Sequence, residues 1–294
     1  MTHLGSQKGR IARWFTHYGR DLPWRQPPAP GPHRGGWGVL VSEIMLQQTP
    51  VDRVLPEWIA WLGRWPAPSA LAAEAPGEAI RAWGRLGYPR RALRLHEAAS
   101  HIARDHADLV PADEGALRAL PGIGDYTAGA VRAFAYGQRA LALDTNVRRV
   151  IARHDHGEEF PADSITRKER EYADAIQPQR DGAAWMAAVM ELGALVCTAR
   201  QPACERCPVA SSCRWLALGR PPGAPPRRQA KYAGSDRQAR GALLAVLREA
   251  GGPVRQADLD RAWPDAAQRA RALDGLVADG LIAPVGRLGW ALPS

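Results

Sequence analysis

Cys197, Cys204, Cys207 and Cys213 fall in one run spaced C-x6-C-x2-C-x5-C, and the chain has no other cysteine. A thiolate set this compact suits one cubane of four irons and four sulfides, each cysteine binding one iron. Two other readings compete. A structural zinc site normally uses two short Cys-x-x-Cys knuckles, and this run has one. Disulfides need an oxidising compartment, and the chain starts polar, Met1-Thr2-His3-Leu4-Gly5-Ser6, with no apolar signal segment.

Two carboxylates are the next candidates. Asp144, in Leu143-Asp144-Thr145-Asn146-Val147, precedes an apolar-periodic helix, where an aspartate ordinarily serves as an N-cap. Glu43 lies in Val39-Leu40-Val41-Ser42-Glu43-Ile44-Met45, an otherwise apolar helix. A carboxylate is costly there unless it is paired or used, and a tuned acid in an apolar pocket is one use. In Leu120-Pro121-Gly122-Ile123-Gly124-Asp125-Tyr126, the two glycines allow a tight turn that aims N–H groups outward at a helix start. The helix dipole favours a phosphate there, although the same pattern also reads as an ordinary helix–helix turn.

Apolar spacing near 3.6 predicts the helices that position these groups, around 39–48, 71–83, 91–105, 128–135, 147–153 and 185–196. Convincing alternating strands are absent, so the main domain is expected to be all-α. Gly219-Arg220-Pro221-Pro222-Gly223-Ala224-Pro225-Pro226 opens a stiff linker. Beyond it, helical spacing at Leu243 and Leu247, at Leu259 and Trp263, and at Leu273 and Leu276 precedes an expected hairpin, 281–285 and 288–292, turning at Gly286. Three short helices and a hairpin predict a winged-helix-like module that binds DNA or packs on the main domain.

A length of 294 residues suits one large domain plus a small one, or two medium ones. The formal charge of +9 and pI near 9.9 suit a polyanionic partner. Only Lys8, Lys168 and Lys231 are lysines, however, so arginine dominates the 39 basic residues. With heavy Ala, Gly and Pro usage this matches a GC-rich codon bias and weakens the charge argument. No stretch reaches the roughly 18 apolar residues of a membrane helix.

Taken in order from about Phe15 to Arg214, these motifs resemble the MutY-type adenine DNA glycosylases of the helix-hairpin-helix superfamily, which includes endonuclease III. The resemblance runs through Arg20-Asp21-Leu22-Pro23-Trp24-Arg25, Ser42-Glu43-Ile44-Met45-Leu46-Gln47-Gln48-Thr49, Leu86-Gly87-Tyr88, the hairpin, the Asp144 segment, Glu191-Leu192-Gly193-Ala194 and the four cysteines. It implies a mainly α fold with a catalytic region over 1–218. Within this, a six-helix barrel spans about 36–140, a cluster-bearing helical domain is built from 1–35 and 141–218, and the active site lies in the cleft between them. The linker is then 219–235 and the winged-helix-like module 236–294.

By that resemblance Glu43 is the general acid that protonates N7 of an adenine turned out of the duplex. Asp144 faces the sugar and stabilises its oxocarbenium-like centre, and Tyr126 orients Asp144. Arg20, Leu22 and Trp24 line the base pocket. Gln48 and Tyr88 wedge into the duplex with Thr49 and Leu86 beside them, while Gly122 and Gly124 belong to the DNA-binding hairpin. Cys197, Cys204, Cys207 and Cys213 hold one [4Fe-4S] cluster that shapes a basic loop through Arg200, Arg206 and Arg214. Endonuclease III-like relatives carry a lysine at the position of Tyr126, and this chain has none between Lys8 and Lys168. A monofunctional glycosylase leaving an abasic site is therefore expected.

The implied partner is double-stranded DNA holding adenine opposite 8-oxoguanine or guanine. The protein is expected to be a monomer without membrane association, in a bacterial cytoplasm and at its nucleoid. Three departures stand against the family pattern. Ala187 replaces the Gln or Glu that hydrogen-bonds adenine, Thr145 replaces a glycine after the catalytic aspartate, and the 59 residues from Asp236 lack a nucleotide-hydrolase-like domain. Two alternatives follow: an endonuclease III-like glycosylase for another mispaired or damaged base, and a non-catalytic iron–sulfur DNA-binding protein.

Overall fold

The computed structural model describes residues 3–25, 34–224, 231–286 and 289–294. Its helices are α1 (Lys8–Tyr18), α2 (Arg34–Met45), α3 (Val51–Arg64), α4 (Pro68–Ala72), α5 (Pro76–Ala82), α6 (Arg90–Asp105), α7 (Glu114–Ala119) and α8 (Asp125–Tyr136). There follow α9 (Thr145–Ile151), α10 (Arg167–Ile176), α11 (Gly182–Leu195), α12 (Arg214–Ala217), α13 (Asp236–Glu249), α14 (Gln256–Ala262) and α15 (Ala266–Ala278). Three short strands, β1 (Val254–Arg255), β2 (Ala283–Val285) and β3 (Gly289–Ala291), form one sheet in the order β1-β3-β2. Among the described residues no helix is long and apolar enough to cross a membrane.

Two helix boundaries differ from the sequence expectation, and proline explains both. The helix expected over 39–48 ends at Met45, because Pro50 drives the preceding residue out of the α region and a turn carrying Gln48 at φ 56° intervenes. The helix expected over 71–83 is two helices. Pro76 offers no N–H, and Ala75 before it is extended at ψ 144°, so α4 stops and α5 restarts with proline in its first turn.

The chain divides into two compact units. One comprises Met1–Pro27, Ala112–Arg118 and Ile123–Arg228; the other comprises Pro28–Pro111, Ala119–Gly122 and Gln229–Ser294. The expected boundaries grouped α8 with the barrel and set the C-terminal residues apart. By packing, α8 belongs with α9–α11, and α13–α15 share a unit with α2–α6. Linker residues 225–230 and the hairpin residue Leu288 lie outside the described residues.

The first unit is organised around α11. Its sequence, GAAWMAAVMELGAL, is apolar almost all round, the pattern of a helix buried on every side. Trp185, Met186, Val189 and Leu192 of α11 join Ile11 and Trp14 of α1 and Val147 and Val150 of α9 in one core. Close approach depends on glycine: a Cβ at Gly193 would lie 2.7 Å from both the carbonyl oxygen and the Cβ of Asn146. That contact seats α11 directly against the helix that begins at Asp144.

The second unit is built on tryptophan. Trp61 meets Trp65 edge-on at 4.6 Å and Trp83 at 5.7 Å, both favourable quadrupole geometries. The indole N–H of Trp37 donates to Trp65 O at 3.0 Å. At the C-terminal end, α13, β1, α14, α15, β2 and β3 follow one another in winged-helix order, with β2 and β3 joined through Gly286 at φ 58°.

Gly193→Ala forces its methyl onto the Asn146 backbone, so we expect a loss of about 1–3 kcal/mol from overpacking. Urea unfolding checks this: an unchanged midpoint would show that α11 and α9 are not held at contact.

Candidate active site and cysteine run

Asp144 is the N-cap of α9. Its backbone is extended, with φ −86° and ψ 179°, and Oδ1 accepts the N–H of Val147 at 2.7 Å. The other oxygen, Oδ2, accepts from the Asn146 side chain at 2.6 Å. Burial pushes the Asp144 pKa up, against the Val147 and Asn146 hydrogen bonds and the Arg149 charge that favour the anion. The result is a clamped, half-buried carboxylate, suited to face a developing positive centre. Tyr126 sits half-buried in the first turn of α8, packed on the same core that holds Val147.

Behind Asp144 stands Arg149, one of three arginines on α9 and its π-helical extension (Ala152–His156) that are nearly inaccessible to solvent. Arg149 donates to Asn146 Oδ1 at 2.7 Å, Gly193 O at 2.8 Å, Thr145 O at 3.2 Å and Cys197 O at 2.7 Å. Arg153 donates to Thr198 O at 2.7 Å and Ala199 O at 3.1 Å, and lies 3.5 Å from the Cys197 sulfur. A continuous hydrogen-bonded path therefore joins the first cysteine to the Asp144 carboxylate. Sequence reasoning missed Asn146, Arg149 and Arg153. The signal that could have found the two arginines is the one that singled out Glu43: charged residues on an apolar helix.

The residues expected to line a base pocket occupy the 20–25 segment, with Leu22 and Trp24 buried. Arg20 does not stand free. It makes a bidentate pair with Glu191, Nε to Oε1 at 2.7 Å and Nη2 to Oε2 at 2.7 Å, while Arg25 also donates to Oε2 at 2.7 Å. Burial alone would raise Glu191, but these bonds pull it down to about 2. Glu191 and Arg25 appeared in the sequence only as parts of motifs; together with Arg20 they fix the whole 20–25 segment to α11.

In the hairpin, Gly122 has φ 78°, a left-handed conformation that favours glycine, and a Cβ there would lie 2.8 Å from that of Arg94. Gly124 has φ −98°, which any residue adopts. It caps α8 without a side chain, leaving the approach to the first N–H groups open. Asp125 in that turn pairs with Arg118 and Arg170, each at 2.9 Å.

In the other unit Glu43 is 4% exposed on α2, among buried Val39, Leu40, Ile44 and Met45. Gln48 and Tyr88 are exposed on two neighbouring turns, and both are non-glycine residues at positive φ, 56° and 47°. Thr49 and Leu86, expected beside them, are buried; Thr49 Oγ1 donates to Leu86 O at 3.0 Å and ties the turns together. Arg91 completes the joint. Its guanidinium donates to Ile44 O, Met45 O and Gln47 O at 2.8, 3.0 and 2.6 Å on one turn, and to Gly87 O at 2.9 Å on the other. Burial lowers the Arg91 pKa to about 10. Nothing in the sequence distinguishes this arginine from its many neighbours.

The four cysteines are free thiols and partly buried. Cys197 and Cys213 both reach Arg153, at 3.5 and 3.6 Å, and the Cys207 N–H donates to Cys204 O at 3.2 Å, while burial pushes the Cys207 thiol up to about 12. Such a set fits a cationic iron group, which favours the thiolate form and takes soft sulfur donors. Arg200, Arg206 and Arg214 are exposed around the run.

Comparison with known proteins identifies the family. Residues 41–174 match the model of the HhH-GPD superfamily of base excision DNA repair proteins, and residues 197–213, first cysteine to last, match the iron–sulfur binding domain of endonuclease III. The adenine DNA glycosylase of Mycolicibacterium smegmatis is 53% identical over 92% of this chain and 91% of its own length. That of Mycobacterium tuberculosis is 52% identical over 96% and 92%. The human adenine DNA glycosylase is 36% identical over 70% of this chain but 39% of its own. Among solved structures, a thermostable thymine-DNA glycosylase superposes with a TM-score of 0.62 at 25% identity, covering 72% of this chain and 95% of that one. An endonuclease III–DNA complex shares the fold, with a TM-score of 0.61 at 20% identity and coverage of 74% and 99%. The chain belongs to the adenine DNA glycosylase family of helix-hairpin-helix base excision repair proteins, and it carries that superfamily's iron–sulfur motif.

Proposed function

We propose that this protein hydrolyses the N-glycosidic bond of adenine mispaired with 8-oxoguanine or guanine in double-stranded DNA and leaves an abasic site. The observation that carries this reading is the Asp144 carboxylate, half-buried, clamped by Val147 and Asn146, and backed by Arg149. Such a group stabilises an oxocarbenium-like sugar without needing a partner that moves. Glu43, on an apolar helix, is the general acid that protonates the departing base. Tyr126 orients Asp144. With no lysine between Lys8 and Lys168, no amine is available at the hairpin to form a Schiff base with the sugar, so strand cleavage does not follow.

Gln48 and Tyr88, presented on strained turns, wedge into the duplex and offset the cost of unstacking. The open start of α8 and the turn at Gly122 receive a phosphate. Cys197, Cys204, Cys207 and Cys213 hold one [4Fe-4S] cluster, which when bound supplies cationic iron that fixes the 197–213 loop. Arg200, Arg206 and Arg214 on that loop grip phosphates. In a bacterial cell such a protein works on the nucleoid, as a monomer.

Single-turnover base release from a duplex with adenine opposite 8-oxoguanine tests the assignment, with strand breaks scored before and after hot alkali. Breaks should appear only after alkali. Glu43→Gln and Asp144→Asn should each slow release by about a hundredfold to ten-thousandfold while duplex affinity stays near wild type. Release of another mispaired base in place of adenine would move the protein to the endonuclease III-like alternative, and indifference to both substitutions would make it a binding protein.

Asp144 acts as an anion, so release should fall as pH drops through its raised pKa. Asn146→Ala removes a hydrogen bond that favours the anion and should move this acid limb to higher pH. A pH profile of the single-turnover rate checks the sign; an unmoved or lowered limb would show that Asn146 does not hold the carboxylate ionised.

A further inference from the structure

The C-terminal residues 236–294 are the part of the chain that the proposed chemistry leaves unused. Their winged-helix order makes α15 the helix that such modules lay in a DNA groove. Charge and pairing argue against that use. The segment carries eight arginines against seven acidic residues, in a chain of net charge +9. Of the two arginines of α15, Arg269 is tied to Asp260 at 2.8 Å, and the exposed Arg271 faces Asp236 at 3.3 Å. A helix that holds DNA needs cations free to replace the counterions of phosphates.

What the segment does grip is the turn between α5 and α6. Arg248, in the last turn of α13, donates to Ile80 O at 2.9 Å and to Gly84 O. In return Arg81 of α5 donates to Ala250 O at 2.8 Å and to Arg248 O. Each guanidinium caps the other helix's C-terminal end, where carbonyls lack helical partners and the dipole favours a cation. Arg248 is largely desolvated, which lowers its pKa to about 10. At the far end of the turn Asp279, just after α15, pairs with Arg90 at 3.3 Å. Gly84 and Arg90 bracket the segment that holds Gly87 at φ 81° and Tyr88 at φ 47°, and the Tyr88 ring is 42% exposed.

We infer that the C-terminal module is a positioning element for the Tyr88 turn rather than a reader of DNA: Arg248 on Gly84 and Asp279 on Arg90 fix the strained turn that presents Tyr88 to the duplex. A non-glycine residue at positive φ persists only where its surroundings over-determine it. Arg91 holds this turn from within the α2–α6 layer, and the module holds both its ends from outside. The inference rests on the reading of Tyr88 as a wedge.

The test uses the full-length protein with Asp279→Asn, which keeps the shape but weakens the pairs with Arg90 and Arg240, and Arg248→Lys, which keeps the charge but loses the fork; Tyr88→Ala is the reference. Amide exchange over 84–90 should quicken about tenfold in both module variants, with α2 unaffected. Fluorescence of 2-aminopurine beside the target adenine, which reports unstacking, should fall in the module variants and fall no further when either is combined with Tyr88→Ala. If Tyr88→Ala leaves unstacking unchanged, the wedge reading fails and the inference with it. If Tyr88→Ala abolishes unstacking while the module variants keep wild-type exchange and unstacking, the inference alone fails. Weakened duplex affinity with unchanged exchange over 84–90 would also overturn it, because the module would then be touching DNA itself.

Discussion

The buried guanidinium of Arg149 is the interaction on which the arrangement of the candidate site depends. It touches Asn146, which donates to Asp144, together with the backbone of α11 and the backbone of the first cysteine. Burial is unfavourable to its charge, and the Arg153 charge beside it adds to that; the acceptors around it are what make the position tenable. Removing it would orphan several carbonyls at about 1–3 kcal/mol each. The carboxylate is thus aimed by the same contacts that seat the cysteine run, and Gly193 is needed because only a bare Cα lets α11 bring its carbonyl within reach.

Arginine used as a cap for backbone carbonyls recurs through the molecule. Arg91 serves two turns, Arg81 and Arg248 exchange helix ends, and Arg153 closes the segment after Cys197. A lysine could not substitute at these places, because the planar fork of donors reaches several carbonyls at once. The consequence for DNA binding is that the formal charge of +9 overstates the basic surface. Several of the cations are buried among carbonyl groups, and phosphate attraction must come from exposed residues such as Arg200, Arg206 and Arg214.

Much of this was legible in the sequence, and the remainder has physical reasons for being hidden. Cysteine spacing carried the metal chemistry because ligand geometry constrains spacing tightly, and the spacing of apolar residues gave α6, α8, α9 and α11 to within a few residues. The long α3 escaped notice because Pro56 interrupts its sequence, and α10 because its composition is mostly polar. Glu43 stood out as a charge in apolar surroundings, and Asp144 as an aspartate in the N-cap position ahead of an apolar-periodic helix. Their supporting residues did not, since a hydrogen bond between Arg91 and a carbonyl 44 positions away leaves no local pattern. The two-unit division was equally hidden: what ties α13 to α5 is a pair of arginines far apart in the chain.

Selectivity is where the arrangement departs most from the family pattern. Adenine offers a donor at its exocyclic amine, so a pocket that recognises it by hydrogen bonding needs an acceptor. Ala187 has none to give, and both oxygens of Glu191 are already taken by Arg20 and Arg25, which are donors only. On the proposed reading Glu43 meets the base at the one atom it protonates, and the rest of the base is held by the shape of Leu22 and Trp24. A pocket that sorts by shape discriminates by about ten to two hundredfold, far less than one that leaves a polar group unpaired with the wrong base. On that reading the burden of choosing adenine shifts to the step before the pocket, the proposed opening of the mispair by Gln48 and Tyr88, where a damaged or mismatched base costs least to extrude. Rigid support of those two turns is worth more to such an enzyme than one further contact to the base.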